Sequence, residues 1–411
     1  MSHTPSQKPA HFKRTVTLLL MLVFGGFMIS DMYLPALPHL ISAFHTTSKH
    51  IQLTISVYFI GACASMLILG PISDRIGRRK VVLSGVTIMI IGTFFCWYTS
   101  SYHLFVLGRV LQGLGAGAGF AVMRTVMRDM VSGNDFAHII AYISIIVGIC
   151  PAIAPALGGM IVTHFHWRII FLISLIYYLF LLVALIMMFP ETLAKTTQIK
   201  NRGEHVIKHA WEALSHSEFL LYCITSAVIY AGMMAYVTAS PMIIEVHLHF
   251  TPAQFGWITL GVVLSGQMSK IYNRLYVLKK GYQHMLYIGI SLLILGSLTM
   301  LACALLHFMN IYAVVIPMVI YSNGLGIFFP NLSTASLSIF TTMIGMASAI
   351  YGTVQLGGGF LGSAIMAHLS EHSLMPLSSL LVIFIAIATA CLFKAIQLQR
   401  KHQPVKQTSA S

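Results

Sequence analysis

Apolar residues along the chain run in blocks of roughly the length a helix needs to cross a bilayer, about 20 residues at 1.5 Å each. Twelve such blocks occur, at 15–34, 50–72, 81–99, 104–123, 136–163, 169–189, 219–244, 253–272, 285–306, 311–329, 337–369 and 377–393. The fifth and eleventh blocks include loop residues at their ends. The only long polar break, 190–217, divides the blocks six and six. The pattern therefore predicts an all-α polytopic membrane protein of twelve transmembrane helices in two six-helix bundles. Its parts are an N-tail over 1–14, bundles over 15–189 and 218–396, a central loop over 190–217 and a C-tail over 397–411. Lys8, Lys13 and Arg14 precede the first block as they would precede a secretion signal. That block is long and no small-residue cleavage site follows it, so a retained helix is expected.

Composition narrows the class further. Of 411 residues, 57% are hydrophobic and 8% charged, where a soluble domain carries about a quarter charged residues. A cytosolic enzyme, a nucleic-acid binder and a disordered chain are excluded on that ground. The formal charge of +14 has another source. With the N-terminus inside, 21 of the 24 Lys and Arg fall on the inner side, Lys49 and Arg168 on the outer, and Arg109 within a span. Basic residues concentrate on the cytoplasmic face of membrane proteins, so both termini are expected to be cytoplasmic and the lipid surface to be the partner of the charge. The six cysteines fall one apiece in apolar blocks without metal-type spacing, and read as packing residues.

Two charges do not belong in lipid. Asp31 is the lone acid of the first span and Arg109 the lone base of the fourth. Counting along the helices, Asp31 lies about 24 Å above the inner end of its span and Arg109 roughly 10 Å below the outer end of its own. Their depths agree. Two readings stand: a static buried ion pair that fixes packing, and a switch. Burial and a neighbouring guanidinium act on a carboxyl in opposite senses, so changes in hydration or occupancy can move Asp31 between charge states. Glu245, His247 and His249 gather at the outer end of the seventh span, where an interfacial polar cap is expected and no metal site. GLGAGAG at 113–119 lacks a preceding strand and the spacing of a nucleotide fingerprint, so close helix packing accounts for it better. The run 148–159 places two prolines and three glycines in the fifth span, and the eleventh has five glycines around Gln355. Bent, closely packed helices on which one bundle can rock are expected. Tyr33, Tyr58, Tyr142, Tyr230, Tyr236, Asn323, Asn331 and Gln355 are candidates for lining a substrate cavity, and 24 methionines suit an adaptable one.

These motifs together resemble the major facilitator superfamily over essentially the whole chain. GPISDRIGRRK at 70–80 is similar to its signature between the second and third helices, RVLQGLGAGAG from Arg109 to its fourth-helix motif, and 148–159 to its antiporter motif. SDMYLPALP at 30–38 and MRTVMRD at 123–129 look more narrowly like the bicyclomycin and chloramphenicol-resistance subfamily of drug:proton antiporters. The resemblance implies proton coupling at Asp31 with Arg109. It implies an inner-gate loop of Gly70, Asp74, Arg75, Gly77, Arg78 and Arg79, with Asp74 suited to the N-terminus of the eleventh helix. It also implies an antiporter helix of Gly148, Pro151, Pro155, Gly158 and Gly159. A degenerate counterpart of the loop at 266–280 has Lys270 where an acid is expected, which puts a symmetric gate in doubt. The implied protein is a monomer of the bacterial inner membrane, without metal or cofactor, that exports a drug, toxicant or metabolite such as a siderophore in exchange for protons. A proton-coupled uptake symporter is the alternative. A membrane enzyme acting on lipid-linked substrates is a remote one, since it needs a nucleophile or metal cluster.

Overall fold

In lipid the backbone must satisfy its own hydrogen bonds, which leaves a chain of this hydropathy little but helices. The computed structural model describes residues 11–130, 133–193, 211–340 and 344–402, and for 71, 124, 128–129, 133–147 and 400–402 the backbone only. Its helices are α1 (Phe12–Asp31), the short α2 (Leu37–Ala43), α3 (Ser48–Ile76), α4 (Arg78–Tyr98), α5 (Tyr102–Met130), α6 (Gly133–His164) and α7 (Arg168–Met188), then α8 (Ser217–Pro241), α9 (Pro252–Leu305), α10 (Ile311–Leu337), α11 (Ile344–Ala367) and α12 (Met375–His402). α9 turns at Gly281, whose φ of 78° is left-handed, and so crosses twice. Among the described residues the helices make twelve crossings, as the apolar blocks predict. Two boundaries differ. The first span leaves the α-helix at Asp31 and continues through a 3₁₀ turn, Leu34–Ala36, into α2. The segment 270–280, counted as an inner loop, is helical up to Gly281.

The chain divides into two compact units, Met1–Lys200 with Ser240–Leu264 and Asn201–Ala239 with Ser265–Ser411. Hydrophobic burial drives little between helices in lipid, where close packing and hydrogen bonds hold them instead. In the first unit α5 is the hub. A Cβ at Gly113 would collide with the Tyr58 carbonyl and one at Gly117 with the Ala62 carbonyl, both on α3. Gly115 leaves the same room for Met89 on α4, and Gly119 seats Leu22 of α1. The reading of GLGAGAG as a packing motif holds, with successive glycines facing different neighbours. The outer face of α7, by contrast, exposes Ile176, Phe180 and Met187 as a lipid face should.

The second unit uses the same device. Gly358 and Gly362 of α11 admit the Ala227 and Ala231 carbonyls of α8, and Thr238 donates a hydrogen bond to the Ser363 hydroxyl at 2.9 Å. α10 lies between the two arms of α9. Gly266 and Gly326 close one seam, where Asn331 donates to Asn273 at 2.6 Å, and Gly289 and Gly296 close the other.

Adding a methyl group inside these seams should separate helices. Gly113→Ala is expected to lower stability by about 1–3 kcal/mol. Gly261→Ala, where nothing lies within 4 Å of the added carbon, should stay within about 0.5 kcal/mol. Thermal melts of the two variants in detergent check the contrast, and equal melting would show that the seam is loose.

Candidate functional site

The first helix ends at Asp31 for a local reason. Pro35 has no N–H to offer the Asp31 carbonyl, and Pro38 offers none to Leu34, so the α-helical ladder stops. Ser30 donates a short hydrogen bond to Asp31 Oδ1. Gly158 of α6 lies so close to the Met32 carbonyl that no side chain would fit. The helix with the two prolines thus meets the residue following Asp31 backbone to backbone. On its other side α6 meets the start of α9: Gly159 admits the Pro252 carbonyl, and a Cβ on Gly256 would lie 2.5 Å from the Pro155 carbonyl. α6 runs through Pro151 and Pro155 as one helix, and Gly148 is buried on it.

Arg109 is fully buried. Its Nε donates to the Thr54 carbonyl of α3 at 3.5 Å, and its Nη1 donates to the Ile29 carbonyl of α1 at 3.2 Å and to Gln112 Oε1 at 2.7 Å. Gln112 in turn donates to the Thr93 hydroxyl of α4 at 3.1 Å. The guanidinium carbon stands 4.0 Å from the centroid of the Tyr33 ring and 4.9 Å from that of Tyr58, within the range of cation–π attraction. Tyr33 hydrogen-bonds Thr54 at 3.2 Å and Tyr58 donates to the Gly26 carbonyl at 2.8 Å. Nη2 is buried and has no hydrogen-bond partner among the described residues.

The matched depths of Asp31 and Arg109 therefore do bring them together, since the arginine reaches a carbonyl two residues before the acid. They do not form the direct ion pair of the static reading. Carbonyls, an amide and two aromatic faces hold the cation, which leaves the carboxylate to Ser30 among the described residues. Tyr33 and Tyr58, proposed from sequence as cavity residues, belong to the cradle of Arg109.

At the C-terminal end of α3, Asp74 pairs with Arg78 one turn along, and Arg78 also donates to Ser73. Ser73 donates to the Gly70 carbonyl at 2.7 Å, and Arg75 is exposed. Gly77 has φ 104°, a left-handed conformation that ends α3 and starts α4. A carboxylate bound to the N-terminus of α4 is that of Glu191, which sequence reasoning missed. It accepts from the Arg78 and Arg79 backbone N–H groups at 2.9 and 3.2 Å, while the Arg79 side chain donates to the Ile186 carbonyl. An acid directly after the last apolar residues of the sixth span and Pro190 is the signal that could have found it.

In the second unit Asn323 donates to Ser265 at 3.3 Å and to its own helix at Val319, Tyr230 lies against Gly359 and Phe329, and Tyr236 has a buried hydroxyl without a partner. Gln355 is half-buried on α11. The side chain of Tyr142 lies outside the described residues. Glu245 falls in a π-helical turn, Met242–His247, with its Oε1 buried and without a hydrogen-bond partner among the described residues.

Comparison with known proteins agrees with this architecture. The profile of the Major Facilitator Superfamily matches residues 19–363. The uncharacterized MFS-type transporter YdgK of Bacillus subtilis (strain 168) is 25% identical over 402 residues, 96% of this chain and 97% of that protein. Multidrug resistance protein D of Escherichia coli (strain K12) is 25% identical over 411 residues, 96% of this chain and 99% of that protein. The bicyclomycin resistance protein homolog of Haemophilus influenzae is 23% identical, covering 90% of this chain and 93% of that protein. Among solved structures, the nucleoside transporter NupG superposes with a TM-score of 0.73 over 93% of this chain and 99% of its own, at 14% identity. An inward-facing, unoccupied bacterial homolog of the human lysosomal transporter Spinster gives 0.72 over 97% of this chain and 99% of its own, also at 14%. At such identity the two structures speak for the fold alone. The span of the profile, nearly the whole bilayer-crossing part of a chain with twelve crossings, decides the matter: this protein belongs to the Major Facilitator Superfamily and is a multi-pass transporter of the bacterial inner membrane, not an enzyme.

Proposed function

We propose that the chain is a drug:proton antiporter of the bicyclomycin-resistance type, which exports a small organic molecule by alternating access with Asp31 as its proton carrier. The observation that carries this reading is the separation of roles at the end of α1. Arg109 is held by neutral acceptors and ring faces, so Asp31 is adjacent to a fixed cation without being consumed by it. A carboxyl so placed can be neutral or charged at modest cost either way. The named relatives, two of them multidrug or bicyclomycin resistance proteins by title, support a small organic substrate and outward flux.

The cycle follows from competition. In the inward-open state a protonated Asp31 releases its proton as the substrate arrives and changes the hydration of the carboxyl. In the outward-open state a new proton on Asp31 expels the substrate. Each ligand acts only through its different affinity for the two protonation states, and the coupling is reciprocal. Gly158, seated on Met32, ties the acid to the proline-bearing α6, so a shift of that helix is felt one residue from the carboxyl. The loop of Asp74, Arg78 and Arg79, with Glu191 bound to the start of α4, serves as the cytoplasmic latch. Both termini face the cytoplasm in this scheme.

In proteoliposomes, Asp31→Asn is expected to abolish substrate movement driven by an imposed pH gradient while leaving the melting temperature close to that of the parent. Undiminished accumulation would refute the carrier role, and the direction of flux under the gradient separates export from uptake. Arg109→Lys should also fail. A lysine keeps the charge but loses the planar fork that reaches three acceptors and two rings, so transport is expected to fall about a hundredfold, in line with the 2–5 kcal/mol that loss of a buried, hydrogen-bonded charge contact costs. Transport within about threefold of the parent would mean that charge alone suffices.

A further inference from the structure

Glu245 is an acid that neither the coupling site nor the latch uses. It stands in the π turn Met242–His247, which continues directly from Pro241 at the end of α8. Such turns are rare and occur frequently at functional sites. Met242, Ile243 and Ile244 are buried beside it, and Glu245 is half-buried with its Oε1 sealed from solvent. That oxygen accepts no hydrogen bond, and no ion pair among the described residues reaches the carboxyl.

The elements around Asp31 hold this turn on both sides, all within the first unit. It packs on α2, the short helix that continues from Asp31 through the 3₁₀ turn Leu34–Ala36. Beyond it the backbone leaves the helix at His249, whose φ is 59°, and α9 restarts through a capping box. There the Gln254 N–H donates to the Thr251 hydroxyl at 3.3 Å, and Gln254 Oε1 accepts from the Thr251 N–H at 2.9 Å. This start is pinned to the end of α6, where the Ala253 N–H donates to the Thr163 hydroxyl at 3.1 Å and Gly159 admits the Pro252 carbonyl. From α2, the start of α3, the end of α6 and the segment itself, the titratable and charged side chains are His39, Lys49, His50, His164, His247 and His249. None of them forms an ion pair with Glu245. The positions outside the described side chains belong to helix ends and segments on the side where α8 begins, including the ends of α3 and α5 and the first half of α6. Glu245 lies beyond the opposite end of α8.

A carboxyl oxygen shut away from water without a donor makes the ionised form costly, whereas a protonated carboxyl brings no charge that needs a partner. A glutamate in water ionises near pH ~4.3. We infer that Glu245 is a second proton-binding site, whose proton keeps the π turn seated on α2, the segment that continues from Asp31. Linkage fixes the sign. The packed form binds the proton more tightly than the hydrated form, so acid seats the turn. As the pH rises from about 4.3 upward the seating weakens, until the packed carboxyl itself ionises. Only the 3₁₀ turn separates α2 from the end of α1, and α6, pinned beyond the turn, touches Met32 through Gly158. The proton on Glu245 thus acts on the same stretch of backbone that carries Asp31. The site goes beyond the antiport reading and stands whether or not Asp31 is the carrier.

The test is backbone hydrogen exchange, read by mass spectrometry on the purified full chain in phosphatidylcholine nanodiscs. Protection is compared at about pH 5.5 and about pH 8, with rates corrected for intrinsic exchange. In the parent, peptides covering 37–44 and 242–250 should lose protection at least about tenfold at the higher pH, the change that one pKa unit of linkage produces. Glu245→Gln keeps the shape without the charge and should hold the acid level of protection at both. Asp31→Asn should keep the dependence of the parent, which tells a failure of the carrier reading from a failure of this one. A second measurement leaves position 245 untouched: infrared spectra of Asp31→Asn should show a protonated-carboxyl band in acid whose loss on raising the pH parallels the loss of protection. The inference is overturned if protection in the parent does not change with pH, if Glu245→Gln retains the dependence, if Asp31→Asn abolishes it, or if the carboxyl band is absent in acid.

Discussion

A guanidinium cannot shed its proton at any pH a cell meets, so burying Arg109 obliges the surrounding helices to supply acceptors whatever else they do. Much of the first unit can be read as the answer to that demand. The Ile29 carbonyl is available because it lies in the last turn of α1, where backbone oxygens lack helical donors, and α1 ends there because Pro35 and Pro38 follow. The Thr54 carbonyl is mid-helix and accepts through its second lone pair. Gln112 is one turn along α5 from the arginine and is oriented by Thr93. Three helices, and through Gln112 the last turns of a fourth, are tied to one charge. A carboxylate partner would have met the same demand more simply, and it would have left Asp31 nothing further to do.

The acceptors can be reached only because the backbones come close. On α5, Arg109, Gly113 and Gly117 recur every four residues and face Thr54, Tyr58 and Ala62 of α3, which recur at the same interval. The two helices run the same way through the bilayer, and the common interval keeps them in register over two turns. A side chain at Gly113 would push α3 outward by roughly the size of a methyl group and stretch the 3.5 Å contact from Nε to Thr54 beyond use. Small residues and the buried charge are thus one design. Glycine permits the approach, and the hydrogen bonds hold it in a medium where hydrophobic burial cannot.

How far this was legible in the sequence follows from the range of each force. The twelve crossings and the packing role of GLGAGAG depend on hydropathy and side-chain size, which belong to residues singly, and they could be read directly. The proximity of Asp31 and Arg109 was legible from depth alone, since a fixed rise per residue turns sequence position into height. Their failure to pair was not, because it depends on which carbonyls a helix end releases. Glu191 was missed for a related reason: it is more than 110 residues from the N–H groups it binds, and nothing local marks the partner. Lys270 was assigned to a loop because a charged stretch at a span end looks like one, although its helix continues to Gly281. Among the cavity candidates, the contact of Tyr33 and Tyr58 with Arg109 was not legible, because it depends on how three helices meet.

The two units then divide the chemistry unequally. Both join helices through glycine and carbonyl seams, Gly113 and Gly117 on α3 in one, Gly358 and Gly362 on α8 in the other. Where the first buries a cation between α3 and α5, the second buries a neutral pair, Asn273 and Asn331, between α9 and α10. That seam is satisfied by hydrogen bonds at no net charge, and its geometry need not change when a proton binds or leaves. With no carboxylate in α9, α10 or α11, a proton relay of acids cannot pass through those helices, since the bilayer interior offers no solvated carrier in their place. The buried cation with a neighbouring acid thus belongs to the unit that holds Asp31. A weak internal repeat in the sequence is what such a division should leave behind: the packing device common to both halves, the buried cation kept in one.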